Sequence, residues 1–275
     1  MSPHRASAGF TDRWEHFGFD LAEGIATVTF DRPDRLNALT FEAYADLRDL
    51  LAELPHRDDV RVLVITGRGR GFCSGGDVED IIGALQKADA RDLLDFTRMT
   101  GAVVQRMREC PLPIIASVNG VAAGAGSVIA MAADFRIAAR SASFAFLFTK
   151  VGLAGADMGS AYLLPRLVGL GRATELLLLG ESVSAERAVE IGLAGQVVDE
   201  GELPGATAEL ARRLAAGPGF ALAGTKLLLS REQDLDLAGS LELEAMTQAL
   251  LMTSADHHEF YRAFTEGRDP RWTGR

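Results

Sequence analysis

Two glycine-rich segments, GFCSGGD (71–77) and ASVNGVAAGAGSVIAMAADFRIA (116–138), decide the fold. The runs VRVLVIT (60–66) and PIIASVNG (113–120) lead into them, and such continuous apolar runs are typical of buried strands. Each loop also opens a helical pattern, VEDIIGAL after a capping Asp77 and the small-residue segment 121–134. Free N–H groups at such junctions attract negative charge, so two converging loops can hold an oxyanion. Tight turns that pack a helix on a strand are the alternative interpretation.

The alternation of strand and helix continues on both sides of these loops. Further strands are predicted at 25–30, 135–138, 143–146 and 196–198, and further helices from Thr40 and at 91–109, 159–168, 172–179 and 184–192. From about residue 203 the pattern is helical only, with a break at 217–219. This predicts an α/β domain followed by an α-helical region. We divide the chain into a flexible N-terminus (1–15, with 1–10 loosely ordered), a core (16–202) and a C-terminal helical region (203–275).

Composition narrows the classes of function. The 275 residues are 48% hydrophobic and 24% charged, as in ordinary globular proteins, and the net charge of −10 disfavours a nucleic-acid partner. No apolar run reaches the roughly 20 residues that span a bilayer, so no membrane association is predicted. Two cysteines outside any CxxC pair favour a reducing, cytoplasmic location. The five histidines lack metal-ligand spacing, and neither GxSxG nor a GxGxxG after a strand occurs, so we predict no metal.

The two loops resemble the signature segments of the crotonase, or enoyl-CoA hydratase/isomerase, superfamily. DRPDRLNALT (31–40) resembles the turn that contacts CoA in that family. Further matches are LLPRLVGLGRATELLLLGE, SAERAVEIGLAGQVV and the terminal FYRAFTEGRDP. The similarity covers about residues 20–270, in the order of the family.

This resemblance implies a spiral of β-β-α units with a C-terminal α-helical trimerisation region, and homotrimers that often pair into hexamers. It also implies an acyl-CoA thioester as substrate, with coenzyme A as part of the substrate and no separate cofactor. By motif position, the N–H groups of Gly76 and Ala125 are the oxyanion donors. Alanine at the second position serves as well as glycine if its φ is ordinary.

The resemblance also implies a substrate-binding set. Arg32 and Arg35 are candidates for the phosphates of CoA, and Arg268 for the nucleotide of a neighbouring subunit, although each could be an ordinary surface charge. Glu79 stands where the family often has lysine, which puts a phosphate contact there in doubt. The full set is Arg32, Arg35, Ala38, Ser74, Asp77, Val128, Phe148 and Arg268.

The sequence departs from the hydratases of this family at two positions. Typical members use two glutamates to activate a water, and here Val128 and Phe148 stand in their places. A two-glutamate hydratase is therefore disfavoured. Phe144, Phe146 and Phe148 share one face if the segment is an extended strand, and core packing is the default interpretation. We hypothesise that Phe148 lines the acyl pocket and favours a flat or cyclic acyl group.

Asp157 is the remaining carboxylate, in GADMGSAYLLPRLVG (155–169). The isomerase-like and dehalogenase-like branches carry an acid in this loop. One carboxylate in an apolar surround can move a proton between two carbons and so isomerise an enoyl-CoA. The alternative is that Asp157 caps a helix starting near Met158. Rival functions are an atypical hydratase or lyase, a thioester hydrolase or dehalogenase-like enzyme acting on an aryl-CoA, and a non-catalytic acyl-CoA-binding protein.

Overall fold

The computed structural model of the chain describes residues 10–274. The predicted loose order of the N-terminus concerns mainly residues 1–9, which lie outside this range. Residues 10–15 form no helix or strand, but Trp14 stacks on the buried Phe17 with ring centroids 5.7 Å apart.

The described chain alternates strands and helices up to residue 198 and is helical thereafter. The strands are β1 (Gly18–Ala22), β2 (Ile25–Phe30), β3 (Val62–Gly67), β4 (Gly71–Cys73), β5 (Ile114–Val118), β6 (Val121–Ala123), β7 (Phe135–Ala139), β8 (Ser143–Ala145), β9 (Ser182–Ser184) and β10 (Gln196–Val198). The α-helices are α1 (Phe41–Glu53), α2 (Gly83–Leu85), α3 (Ala90–Glu109), α4 (Ala125–Ala132), α5 (Ser160–Val168), α6 (Leu170–Leu179), α7 (Ala185–Glu190), α8 (Leu203–Ala215), α9 (Gly219–Arg231), α10 (Leu237–Met252) and α11 (Ala255–Glu266). Short 3₁₀ or π turns complete the list at Pro33–Arg35, Leu54–His56, Val78–Ile82, Leu147–Val151 and Glu232–Asp234.

The strands form two sheets, with orders β1-β2-β3-β5-β7-β10 and β4-β6-β8-β9. Consecutive strands alternate between the sheets: β3 then β4, β5 then β6, β7 then β8, and a helix follows each pair. Within each sheet the successive members of these pairs run parallel. The predicted spiral of β-β-α units is therefore confirmed.

Two local predictions were wrong. Segment 121–134 is not helical throughout, because Val121–Ala123 is a strand, Gly124 turns the chain at φ +51°, and the helix begins at Ala125. Phe148 does not share a strand face with Phe144, because β8 ends at Ala145 and Phe148 lies in the 3₁₀ turn Leu147–Val151. Strands β1, β4 and β9 were not predicted.

The C-terminal helices divide into two groups. Helix α8 packs on the first sheet through Ala211 and Ala215, and α9 is tied to the core by Lys226, whose Nζ lies 2.7 Å from Asp134. Helix α10 buries no residue, and together with α11 it exposes large apolar side chains: Leu237, Leu241, Met246, Leu250, Met252, Phe260, Tyr261 and Phe264. Within residues 10–274, no helix has the length and apolarity to cross a bilayer.

Candidate active site

The two glycine loops meet, as the sequence predicted. A Cβ built on Gly75, which has φ +100°, would lie 3.4 Å from the backbone nitrogen of Ala125 and 3.0 Å from the carbonyl oxygen of Ala123. A Cβ on Gly126 would lie only 2.0 Å from the carbonyl oxygen of Cys73. The start of α4 thus rests directly on the end of β4, and side chains at these positions would separate them.

Both predicted oxyanion donors have free N–H groups. Leu39 donates to the Gly75 carbonyl at 2.8 Å and accepts from the Asp77 N–H at 2.9 Å, so the N–H of Gly76 between them faces away from Leu39. Ala125 is the first residue of α4 and has no intrahelical acceptor. Neither N–H has an acceptor within residues 10–274, and Ala125 keeps a negative φ. Two backbone donors at adjoining loops fit a developing oxyanion.

The Cys73 thiol beside this junction is not a nucleophile. It is fully buried, and burial raises its pKa to about 12. A thiol with this pKa is protonated at neutral pH, and only the thiolate attacks. Covalent chemistry through Cys73 is therefore disfavoured, and proton transfer has to come from another group.

Asp157 is half-buried, and its carboxylate does not cap a helix. Its Oδ1 accepts the N–H of the next residue, Met158, at 2.8 Å, whereas α5 begins at Ser160 with Gly159 as the N-cap. The interpretation of Asp157 as the cap of that helix is thus wrong, since a cap bonds N–H groups two or three residues on. Burial raises the pKa of Asp157, and the Met158 N–H opposes this in part. A carboxyl with a raised pKa is suited to reversible proton transfer.

The two glutamate positions of the hydratases are buried and apolar. Val128 is fully buried in the first turn of α4, three residues after Ala125. Phe148 is 8% exposed in the 3₁₀ turn that precedes the Asp157 loop. Neither side chain can take up or release a proton, so neither can act as an acid or a base.

Asp77, after the first glycine loop, is bonded to residues of the predicted CoA-contacting turn (31–40). Asp77 is buried, accepts the N–H groups of Glu79 and Asp80 at 3.0 and 3.1 Å, and lies 3.1 Å from Arg32. The N–H groups hold the pKa of Asp77 below its usual range, with help from Arg32. Arg32 also donates to the Ala38 carbonyl at 2.8 Å. Asp77 is therefore the predicted helix cap and a structural anchor.

The three arginines assigned to CoA all have carboxylate partners. Arg32 lies 3.2 Å from Asp80, and Arg35 lies 2.7 Å from Glu79, the residue that stands where lysine is frequent. The Ser74 hydroxyl donates to the Arg35 carbonyl at 3.2 Å. Arg268, after α11, contacts Glu259 and Glu266, each at 2.6 Å. A phosphate would have to replace or share these partners.

Tyr44 is the site residue that sequence reasoning missed. It was assigned only to the buried face of α1, where it is 2% exposed. Its hydroxyl oxygen lies 3.8 Å from a Cβ built on Gly76. Burial, Cys73 and the charge of Asp157 together raise its pKa well above the ordinary value. The signal was available in principle, because Tyr44 follows the CoA-turn motif by one helical turn.

Two features together define a class of protein: two sheets, in which strands β3, β5 and β7 and strands β4, β6 and β8 run parallel, and paired glycine loops whose N–H groups can bind an oxyanion. The family model for enoyl-CoA hydratase/isomerase matches residues 20–275. The chain belongs to this family and is an enzyme of it.

Individual relatives cover almost the whole chain. The chain is 41% identical over 256 residues to the 1,2-epoxyphenylacetyl-CoA isomerase of Escherichia coli K12. This match covers 93% of this chain and 97% of that protein. A crystal structure from Streptomyces coelicolor A3(2), whose name places it among the enoyl-CoA hydratases, is 61% identical, with a TM-score of 0.97 and 100% of both chains covered. The enoyl-CoA hydratase of Bacillus anthracis is 29% identical, with a TM-score of 0.89, 95% of this chain and 100% of that chain covered.

Proposed function

We propose that this enzyme isomerises the double bond of an enoyl-CoA, with Asp157 as acid and base. The observation that carries the proposal is the contrast at the site. Both glutamate positions are apolar (Val128 and Phe148), while Asp157 is half-buried and has a raised pKa. One carboxylate is sufficient for a 1,3-proton shift, which needs no activated water.

The proposed reaction conserves all atoms. The Asp157 carboxylate takes a proton from the carbon next to the thioester carbonyl of a 3-enoyl-CoA. The electron pair moves onto the carbonyl oxygen, where the N–H groups of Gly76 and Ala125 stabilise the dienolate. Protonated Asp157 then returns the proton to carbon 4, and the double bond ends between carbons 2 and 3. Coenzyme A takes part only as a portion of the substrate.

Two further observations favour a flat or cyclic acyl group. Phe148 replaces a polar catalytic residue with an aromatic ring in the turn before Asp157. The Escherichia coli relative is named for an epoxidised phenylacetyl-CoA, whose acyl group is cyclic, and for an isomerisation. We also infer that the protein works in the cytosol and that the exposed apolar faces of α10 and α11 support its assembly into a homotrimer or hexamer.

The test is turnover by the purified protein. Wild type is incubated with 2-enoyl, 3-enoyl and aryl-CoA thioesters, while double-bond absorbance and free thiol are followed. We expect interconversion of the 2- and 3-enoyl thioesters, and about 10²–10⁴-fold slower interconversion by Asp157→Asn. Hydration of the 2-enoyl thioester, release of thiol, or binding without any reaction would each favour one of the rival functions. Full activity of Asp157→Asn would remove only the role of Asp157.

A further inference from the structure

The Tyr44 hydroxyl is a buried polar group without a protein partner. It makes no hydrogen bond within residues 10–274. Within residues 10–274, the polar side-chain atoms that are both fully enclosed and without a partner are Trp14 Nε1, Thr149 Oγ1 and Glu232 Oε1, and the Tyr44 hydroxyl differs from them in not being fully enclosed. The hydroxyl oxygen therefore keeps a small accessible surface, although the residue as a whole is 2% exposed.

The ring of Tyr44 is held in place by aromatic packing. It meets Phe96 edge to face with centroids 6.1 Å apart, and Phe96 in turn meets Phe41 at 5.1 Å. The backbone N–H of Tyr44 bonds the Thr40 carbonyl in the first turn of α1. With ring and backbone fixed, the hydroxyl has a defined position beside Gly76, and Asp157 is near enough for its charge to raise the pKa of Tyr44.

This position is costly for a pocket that binds only hydrocarbon. A ligand that displaces water from a hydroxyl and offers no acceptor leaves a buried donor unsatisfied. Phenylalanine would supply the same packing against Phe96 without that penalty. Ile81 and Cys73, which also lie near the hydroxyl, offer it no strong acceptor, and the Asp157 carboxylate accepts the Met158 N–H rather than the Tyr44 hydroxyl.

We infer that the Tyr44 hydroxyl donates a hydrogen bond to an oxygen atom carried by the acyl group, so that the site selects oxygen-substituted acyl-CoA thioesters over hydrocarbon ones. This rests on the proposed function in so far as the acyl group lies between Gly76 and Asp157. Tyr44 is then a specificity-determining residue, and proton transfer by Asp157 does not require it. A site built to bond a substrate oxygen discriminates strongly against an analogue that lacks it.

Calorimetric titration tests this with non-reacting ligands in matched pairs. One series is phenylacetyl-CoA and its 2-, 3- and 4-hydroxyphenyl forms, and the other is pentanoyl-CoA and 4-oxopentanoyl-CoA. The proteins are wild type, Tyr44→Phe and the matched control Tyr261→Phe, which makes the same chemical change at a tyrosine that is 67% exposed on α11. Thermal unfolding checks that Tyr44→Phe keeps its fold.

We expect at least one oxygenated ligand to bind wild type and Tyr261→Phe about tenfold more tightly than its parent, since one hydrogen bond has about that effect on affinity. Tyr44→Phe should lose this preference and bind the parent within about twofold of wild type. Absence of any preference in wild type, or its survival in Tyr44→Phe, overturns the inference.

The titration and the turnover assay fail separately. If wild type isomerises 3-enoyl-CoA but shows no preference for oxygen, only the inference on Tyr44 is wrong. If the preference exists but no enoyl-CoA is isomerised, the proposed reaction is wrong and the role of Tyr44 stands.

Discussion

Replacing Gly126 by alanine should damage both stability and catalysis, although alanine is the better helix former. The new Cβ would lie 2.0 Å from the carbonyl oxygen of Cys73 and 2.7 Å from its carbonyl carbon. Real Cβ atoms essentially never approach another heavy atom more closely than 3.0 Å, so α4 and β4 have to separate by at least about 1 Å. The obstructing atoms are backbone on both sides and cannot rotate away. The cost should reach the upper end of overpacking penalties, about 3 kcal/mol.

Gly171 provides the matched control for this change. It also lies near the start of a helix, α6, but a Cβ there has nothing within 4 Å. Gly171→Ala should be neutral or stabilise the protein by up to about 1 kcal/mol, because alanine has the higher helix propensity. The two variants make the same chemical change and differ only in the space around it.

The assays are urea unfolding, thermal unfolding and the double-bond absorbance assay. We expect Gly126→Ala to unfold about 6–12 °C below wild type. A displacement of 1 Å between Gly76 and Ala125 should also slow turnover about 10²-fold, since both donors must reach one oxygen. Gly126→Ala with the stability and activity of wild type would falsify the close approach of α4 to β4. Normal activity with lowered stability would show that the close packing at Gly126 does not determine the positions of the Gly76 and Ala125 N–H groups.

Three other substitutions test the remaining parts. Asp157→Asn should raise the stability at neutral pH while activity is lost, because a carboxyl whose pKa is raised in the folded state destabilises that state when it is ionised. Thermal unfolding at pH 4 and 7 checks this, and a lower stability of Asp157→Asn at pH 7 would show that the carboxylate has a structural role. Phe148→Ala should slow turnover of aryl-CoA substrates more than that of straight-chain ones, and equal effects in competition assays would contradict the role of the ring. Lys226→Met should cost about 1–3 kcal/mol in urea unfolding, because the half-buried carboxylate of Asp134 loses its partner at 2.7 Å and, among residues 10–274, keeps only Arg108 at 3.4 Å as a charged partner; an unchanged midpoint would show that α9 is held by other contacts.

The sequence predicted the elements with regular periodicity and missed those defined by a single turn. Segments 25–30 and 196–198 match β2 and β10 residue for residue. Segment 121–134 could not be divided, because Val121–Ala123 and the helix after it have the same small, apolar composition. Only the backbone angle of Gly124 separates them, and glycine adopts either hand without a signal in its neighbours. Phe148 shows the same limit, since alternation cannot reveal that the strand ends at Ala145.

Charge pairing in the site depends on contacts that no local pattern reveals. Arg35 and Glu79 are 44 residues apart and lie 2.7 Å from each other. The sequence made Arg35 a candidate for the CoA phosphates and marked Glu79 as a departure from lysine, but it did not connect the two. Their pairing follows from the contact between the first turn and the first glycine loop, which Asn37 fixes by donating to the Gly71 carbonyl at 2.7 Å. The same contact brings Tyr44 beside Gly76. The position of Tyr44 and the Arg35–Glu79 pair therefore have one structural cause, which the sequence does not reveal.

The site separates two tasks between backbone and side chains. In the proposed reaction the oxyanion donors are N–H groups at the contact of two loops, and alanine in place of glycine at position 125 still provides its N–H. The proton is moved in that reaction by the side chain of Asp157, because Val128 and Phe148, which stand where the hydratases have glutamates, cannot take one up. We therefore propose that the absence of both glutamates removes water activation but not enolate stabilisation. In the proposed reaction the enolate still forms, and the position of Asp157 decides to which carbon the proton returns.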